Sequence, residues 1–270
     1  MEFASFQVSK ISPHVGANVS GIDITRPLTD QQVADIQQAL AHFGVLRFEN
    51  QALDKESLKM LGSRFGRLHF HTGIKAMSEH PEITAIYSDE TTKHVNGEVW
   101  HTDLSCDPVP PLGSILHMKI VPESGGGDTA FSSMYAAYEA LSDRMKDYLE
   151  GLTATHDGAL AFRRYNPDGK YPIASHPVIN THPVSGRKGI YVNRGFTSHI
   201  NELPVEEGNA LLQFLYTHCE RPEWSMRFHW VEDVVAFWDN RCVQHLAIWD
   251  YYPELRSGFR VQIAAEEPIS

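Results

Sequence analysis

Apolar positions along the chain recur at two periods. Phe6 and Val8 alternate with polar neighbours, which predicts a half-buried strand. Val33, Ile36, Leu40 and Phe43 then recur at helical intervals, and Thr29 with Gln32 has the spacing of a capping box. Gly44 closes this helix, and residues 45–48 read as the next strand. A second helix is predicted from near Lys55 to Phe65, ended by Gly66. Further strands are predicted over residues 82–87, 98–104, 113–120, 189–193, 226–231, 234–238 and 258–264, with helices over 133–149 and 205–219. Residues 163–183 are rich in Pro, Gly, Asn and His and read as loop, long enough to suit a lid or a binding element. No repeat or linker divides the chain, so a single domain over residues 1–270 is expected. Many short strands with a few helices predict a mainly β protein, a sandwich or jelly roll with flanking helices.

Composition narrows the partners. The 34 acidic residues against 23 basic ones give a formal charge of −11, and no basic stretch stands against that field. Such a surface repels a phosphate backbone, so no nucleic-acid partner is expected. Three scattered cysteines, Cys106, Cys219 and Cys242, suit neither a disulfide framework nor a zinc ribbon and fit a reducing compartment. The first residues lack the charged and apolar regions of a secretory signal, and no apolar run approaches the ~20 residues that span a bilayer. The expectation is a soluble, cytoplasmic protein with no membrane partner.

The chemistry concentrates at three residues. His101 and Asp103 form an H-x-D triplet, and His245 lies far downstream. On an extended strand, residues i and i+2 project from one face, so a strand over 98–104 would present both side chains to one ion. His245 would have to arrive from a neighbouring strand. Two imidazoles and a carboxylate suit Fe(II) with open coordination positions better than structural zinc, which prefers closed sites and often thiolates. Arg256, just beyond His245, could clamp a carboxylate lying on such a metal. A chain of this composition contains about one H-x-D by chance, so the triplet alone is weak.

The surrounding motifs add weight. Gly16-Ala17-Asn18-Val19-Ser20-Gly21, Phe65-Gly66-Arg67-Leu68-His69, Trp100-His101-Thr102-Asp103 and Gly126-Gly127-Asp128-Thr129 are followed by Thr181-His182-Pro183-Val184-Ser185-Gly186, Tyr191-Val192-Asn193 and Trp238-Asp239-Asn240-Arg241. With these motifs in this order, the whole chain resembles the taurine dioxygenase and 2,4-dichlorophenoxyacetate dioxygenase family of Fe(II)/2-oxoglutarate-dependent oxygenases. The resemblance implies a double-stranded β-helix (jelly-roll) core with Fe(II) held by His101, Asp103 and His245. It implies 2-oxoglutarate and O2 as cosubstrates, with the distal carboxylate of 2-oxoglutarate on Arg256 and Thr129 and with Trp238 beside it. The implied reaction hydroxylates a C–H bond and releases succinate and CO2.

For the substrate, the resemblance places an anionic group on Arg260 and His71, with Asn96, Leu104, Phe162 and Phe196 around it. Ile74, Gly97 and Cys106 stand where the taurine-type pattern has tyrosine, asparagine and phenylalanine. A small sulfonate, sulfate ester or carboxylate is therefore expected, with taurine itself in doubt. Relatives commonly form dimers or tetramers, so a homo-oligomer is open, and residues 74–95 and 163–183 are candidate lids. Two alternatives stay open: a biosynthetic oxygenase acting on an amino-acid-like or larger apolar substrate, and a non-catalytic jelly-roll binding protein. The presence of His101, Asp103, His245, Arg256 and Thr129 together counts against the second.

Overall fold

The computed structural model describes residues 2–70 and 79–270; His71 and Ile74 lie outside the described residues. The first elements are β1 (Gln7–Lys10), β2 (Ala17–Ser20), α1 (Asp30–Phe43), β3 (Val45–Phe48), α2 (Lys55–Ser63), β4 (Ile83–Ser88) and β5 (Gly113–Ile120). There follow β6 (Thr129–Ser133), α3 (Met134–Glu139), α4 (Asp143–Leu149), β7 (Thr153–Asp157), α5 (Ala159–Phe162), β8 (Ile173–Pro177) and β9 (Ile179–Thr181). The last are β10 (Lys188–Ile190), β11 (Thr197–Ile200), α6 (Val205–Cys219), β12 (Ser225–Phe228), β13 (Val235–Asp239), β14 (Val243–Ala247) and β15 (Arg256–Ile263).

A seven-stranded sheet in the order β1-β2-β3-β13-β5-β15-β4 faces a three-stranded sheet, β12-β6-β14. Alternation along the central strands sorts the core. Leu116, Met118, Ala236 and Trp238 point toward Phe131, Phe228 and Val243 of the smaller sheet. Ile115, Val235, Phe237 and Val261 point the other way, onto Ile36 and Leu40 of α1 and Leu58 and Leu61 of α2. The result is the jelly-roll core with helices packed outside. A third cluster joins α3 and α6 to β7 and β10 through Ala137, Ala154, Ile190 and Leu215. No helix among the described residues is long and apolar enough to cross a membrane.

Helix α1 forms where its caps are written. The Thr29 hydroxyl accepts from the Gln32 amide at 3.2 Å, and the Gln32 side chain accepts from the Thr29 amide at 2.8 Å. Gly44 ends the helix at φ 72°, its amide donating to the Leu40 carbonyl at 2.8 Å. A Cβ at position 44 would also lie 2.6 Å from Cγ1 of Val243 on β14.

The structure corrects three expectations. Residues 98–104 do not form a strand: only His101 pairs, in an isolated bridge with His245, and the chain then turns over Asp103–Cys106. The amide of Asp107 bonds back to the Leu104 carbonyl at 2.9 Å, which takes the backbone out of any ladder. The helix expected over 133–149 is two helices, because Ser133 caps α3 and Ser142 caps α4 through their hydroxyls. The loop expected over 163–183 contains β8 and β9, whose pairing partners β7 and β10 are supplied by other parts of the chain.

Gly44→Ala should therefore lower stability by more than about 1 kcal/mol, since alanine disfavours positive φ and its methyl meets Val243. Chemical denaturation midpoints of the two proteins measure this.

Candidate metal and cosubstrate site

His101 and His245 are brought together by their backbones. The His101 amide donates to the His245 carbonyl at 3.0 Å, and the His245 amide returns a bond to His101 at 2.8 Å. Residues paired in this way across an antiparallel bridge project side chains on one face, and the imidazole centroids lie 4.1 Å apart. Asp103 joins them because the turn, not a strand, folds it inward. Its Oδ1 lies 3.7 Å from Nε2 of His101 and 3.8 Å from Nε2 of His245. Leu104 next to it has φ 48°, a conformation a branched side chain enters at a cost, and its side chain is buried against Cys106, Phe162 and Phe196.

The donor set fits a divalent first-row metal. One ligand atom from each of His101, Asp103 and His245 lies within 4.8 Å of the others. The Nδ1 of His101 sits 2.8 Å from the Val99 carbonyl, so that nitrogen carries the proton and Nε2 keeps its lone pair toward the centre. Burial and the neighbouring His101 ring hold the His245 imidazole well below its ordinary pKa, hence neutral. Burial alone would raise Asp103, but the Arg260 guanidinium beside it holds its carboxyl well below the usual range. Neutral imidazoles beside an ionised carboxylate are the forms that bind a metal.

These residues line a cavity of about 230 Å3, shared with Asn96, Leu104, Leu116, Thr129, Phe162, Phe196, Trp238, Arg256 and Arg260. Apart from His71, which lies outside the described residues, every side chain expected at the site faces this space. Arg256 enters from the start of β15 and is buried between Trp230 and Tyr251, with its Nε donating to the Gly127 carbonyl at 3.0 Å. Gly127 has φ 80°, and a Cβ there would lie 2.8 Å from Cδ of Arg256. Among the described residues no carboxylate forms an ion pair with Arg256. The Thr129 oxygen accepts from the Trp230 indole at 3.0 Å, leaving its proton to donate into the cavity. Trp238 uses its own N–H on Asn240, so it offers the cavity only an apolar face.

Arg260 plays two parts in the geometry. It lines the cavity, and its Nη1 donates to Oδ1 of Asp103 at 3.0 Å, while its Nε is buried without a partner among the described residues. Periodicity did not single out Ile86, Leu160, Arg164, Tyr165 and Gly195, which also line the cavity. Arg164 and Tyr165 do fall in the segment expected to act as a lid, whereas its later part is committed to β8 and β9.

A second group, His182, Asp239 and Cys242, is also close enough to hold a metal. Its hydrogen bonds argue for another role. The Nδ1 of His182 accepts from the amides of Val184 and Ser185, so its Nε2 proton donates to Asp239 at 3.0 Å. Arg241 holds both oxygens of the same carboxylate, at 2.9 and 2.7 Å, and burial pushes the Cys242 thiol well up. This cluster pins the β13–β14 turn that leads to His245.

Proteins of this fold are known. A taurine dioxygenase from Burkholderia xenovorans superposes with a TM-score of 0.85 at 32% identity, covering 98% of this chain and 92% of that one. An alpha-ketoglutarate-dependent sulfonate dioxygenase of Saccharomyces cerevisiae is 32% identical over 285 residues, 97% of this chain and 68% of that protein. The alpha-ketoglutarate-dependent 2,4-dichlorophenoxyacetate dioxygenase of Cupriavidus pinatubonensis is 31% identical over 267 residues, 89% of this chain and 91% of that protein. The chain is accordingly an alpha-ketoglutarate (2-oxoglutarate)-dependent dioxygenase, which works with Fe(II), that cosubstrate and O2. More narrowly, it belongs to the taurine catabolism dioxygenase TauD, TfdA family, which residues 7–262 match.

The packing behind the Asp103 turn makes a pH prediction. Ser105 bonds Nδ1 of His156 at 2.9 Å and accepts from Asn193 at 3.0 Å. Burial lowers His156 from the ordinary 6.5 to about 3, so between those values the unfolded chain binds a proton that the folded one refuses. This contribution is complete above pH 6.5 and is lost as pH falls toward 3. In His156→Gln, denaturation midpoints should depend less steeply on pH across that window than in the wild type.

Proposed function

We propose that His101, Asp103 and His245 hold the Fe(II), that Arg256 and Thr129 bind the distal carboxylate of 2-oxoglutarate, and that the substrate is a small organic anion (a sulfonate, sulfate ester or carboxylate) whose charged group meets Arg260. The observation that carries the reading is the pair of buried guanidiniums, four residues apart on β15, that line one cavity with the His-Asp-His group. A buried arginine without a carboxylate partner is costly unless a ligand supplies the negative charge. Arg256 is such a residue, and a planar guanidinium matches a carboxylate.

When bound, Fe(II) supplies the oxidising chemistry that couples the conversion of 2-oxoglutarate to succinate and CO2 with hydroxylation of a substrate C–H bond. The chain's own residues do the positioning. Trp238 gives the cosubstrate an apolar wall next to the His245 ring, 4.9 Å away. Leu104, Leu116, Phe162 and Phe196 form apolar walls that exclude water from the reacting groups. Arg260 already neutralises Asp103, and its unpartnered Nε offers a donor to an anion arriving from the cavity. The sulfonate and phenoxyacetate named for the relatives are both anions of this kind. All these parts are read as belonging to one dioxygenase domain over residues 1–270.

Purified protein supplied with Fe(II), O2 and 2-oxoglutarate should form succinate, faster with sulfonates, sulfate esters or carboxylates, and His101→Ala should form none. Equal succinate formation by that variant would sink the metal assignment. Removing the charge-assisted bonds of Arg256 (Arg256→Ala) should raise the KM for 2-oxoglutarate roughly 10–100-fold. With Arg260→Ala at saturating Fe(II), the KM for the anionic substrate should rise by a similar factor. A best substrate that carries no anionic group would show the Arg260 assignment to be wrong.

A further inference from the structure

The two oxygens of Asp103 are treated differently by the fold. Oδ1 faces both imidazoles and Arg260, whereas Oδ2 accepts a 2.6 Å hydrogen bond from the Ser114 hydroxyl. Ser114 is fully buried on β5, paired on one side with Trp238 of β13 and on the other with Gln262 of β15. A serine on an interior strand of a seven-stranded sheet has little freedom to follow a moving partner, so the carboxylate must conform to it. Rotation of the carboxylate about its Cβ–Cγ bond, which would present both oxygens to the centre, would break this bond.

We infer that Ser114 is a positioning residue that makes Asp103 a one-oxygen ligand, keeping Oδ2 off the metal and so leaving room for 2-oxoglutarate and O2. This rests on the assignment of His101, Asp103 and His245 as the metal ligands. The hydroxyl also withdraws charge from the oxygen it binds, which directs the remaining carboxylate charge to Oδ1. Partners that orient a metal-binding carboxylate typically change metal affinity by about 10–100-fold when removed.

The test uses the full chain freed of metal and titrated with Co(II), whose visible absorption weakens as its coordination number rises. Ser114→Ala should bind Co(II) about 10–100-fold more weakly than the wild type, with a weaker visible band as Asp103 turns both oxygens to the ion. Ser132→Ala is the structural control. That serine is equally buried, on the facing sheet, and donates to the Cys219 carbonyl at 2.5 Å. It should bind Co(II) as the wild type does even where its thermal stability falls. An unchanged affinity and band in Ser114→Ala, or an equal loss in Ser132→Ala, would overturn the proposal. His101→Ala separates the two levels: wild-type Co(II) binding by that variant overturns the ligand assignment itself, while its loss together with unchanged binding by Ser114→Ala overturns only the role of Ser114.

Discussion

The reciprocal backbone bonds between His101 and His245 set the geometry on which the rest of the site depends. They form the one β-bridge between an irregular segment and β14 among the described residues, with 3.0 and 2.8 Å contacts, and are flanked by a Gly97–Ala247 backbone bond and by the Thr102 hydroxyl on the Val243 carbonyl. The bridge needs β14 to be rigid, and β14 is held through β6 and through the buried Asp239 cluster at the turn preceding it. It also needs the other segment to turn immediately afterwards. The Ser105, Asn193 and His156 network holds that turn from behind, and Leu104 adopts positive φ within it.

Charge then explains the remaining arrangement. Asp103 is a buried carboxylate that stays ionised because the Arg260 guanidinium lies against it. Arg256 is a buried cation that touches a carbonyl and two aromatic faces; Asp128 attracts it but forms no ion pair with it. Thus one arginine of β15 bonds the Asp103 carboxylate, while the other forms no carboxylate ion pair among the described residues. Their spacing on one strand puts both toward the same cavity, a consequence of the period of two. Gly127 completes the arrangement, since any side chain there would displace Arg256.

The family motifs divide into two jobs. His101, Asp103 and Thr129 face the cavity, while Asp239 and Arg241 form a buried ion pair that His182 hydrogen-bonds. Both kinds of position carry polar residues of the same types, so a sequence does not distinguish ligand from support. Their hydrogen bonds differ: the lone pair of His101 Nε2 faces the centre, and His182 has both nitrogens engaged within the protein.

By itself the sequence determined the regular elements whose signals are local. The Thr29 capping box, Gly44, the helix over Val205–Cys219 and the strands Val45–Phe48 and Gly113–Ile120 depend on caps and periodicity within a few residues, and they stand where expected. Motif order likewise singles out His101, Asp103, His245, Thr129 and Arg256, which line one cavity. Tertiary structure decided what depends on partners distant along the chain. Residues 98–104 alternate like a strand, yet only His101 finds a β-bridge partner, so the ladder never forms. Ile173–Pro177 and Ile179–Thr181 look like loop but become strands because β7 and β10 are there to pair with them. Ser114 reads as an ordinary strand residue, and only the turn of a segment 11 residues earlier puts a carboxylate oxygen against its hydroxyl. Hydrogen-bond partners of this kind are set by where strands meet, and that information lies in the packing rather than in any one stretch of sequence.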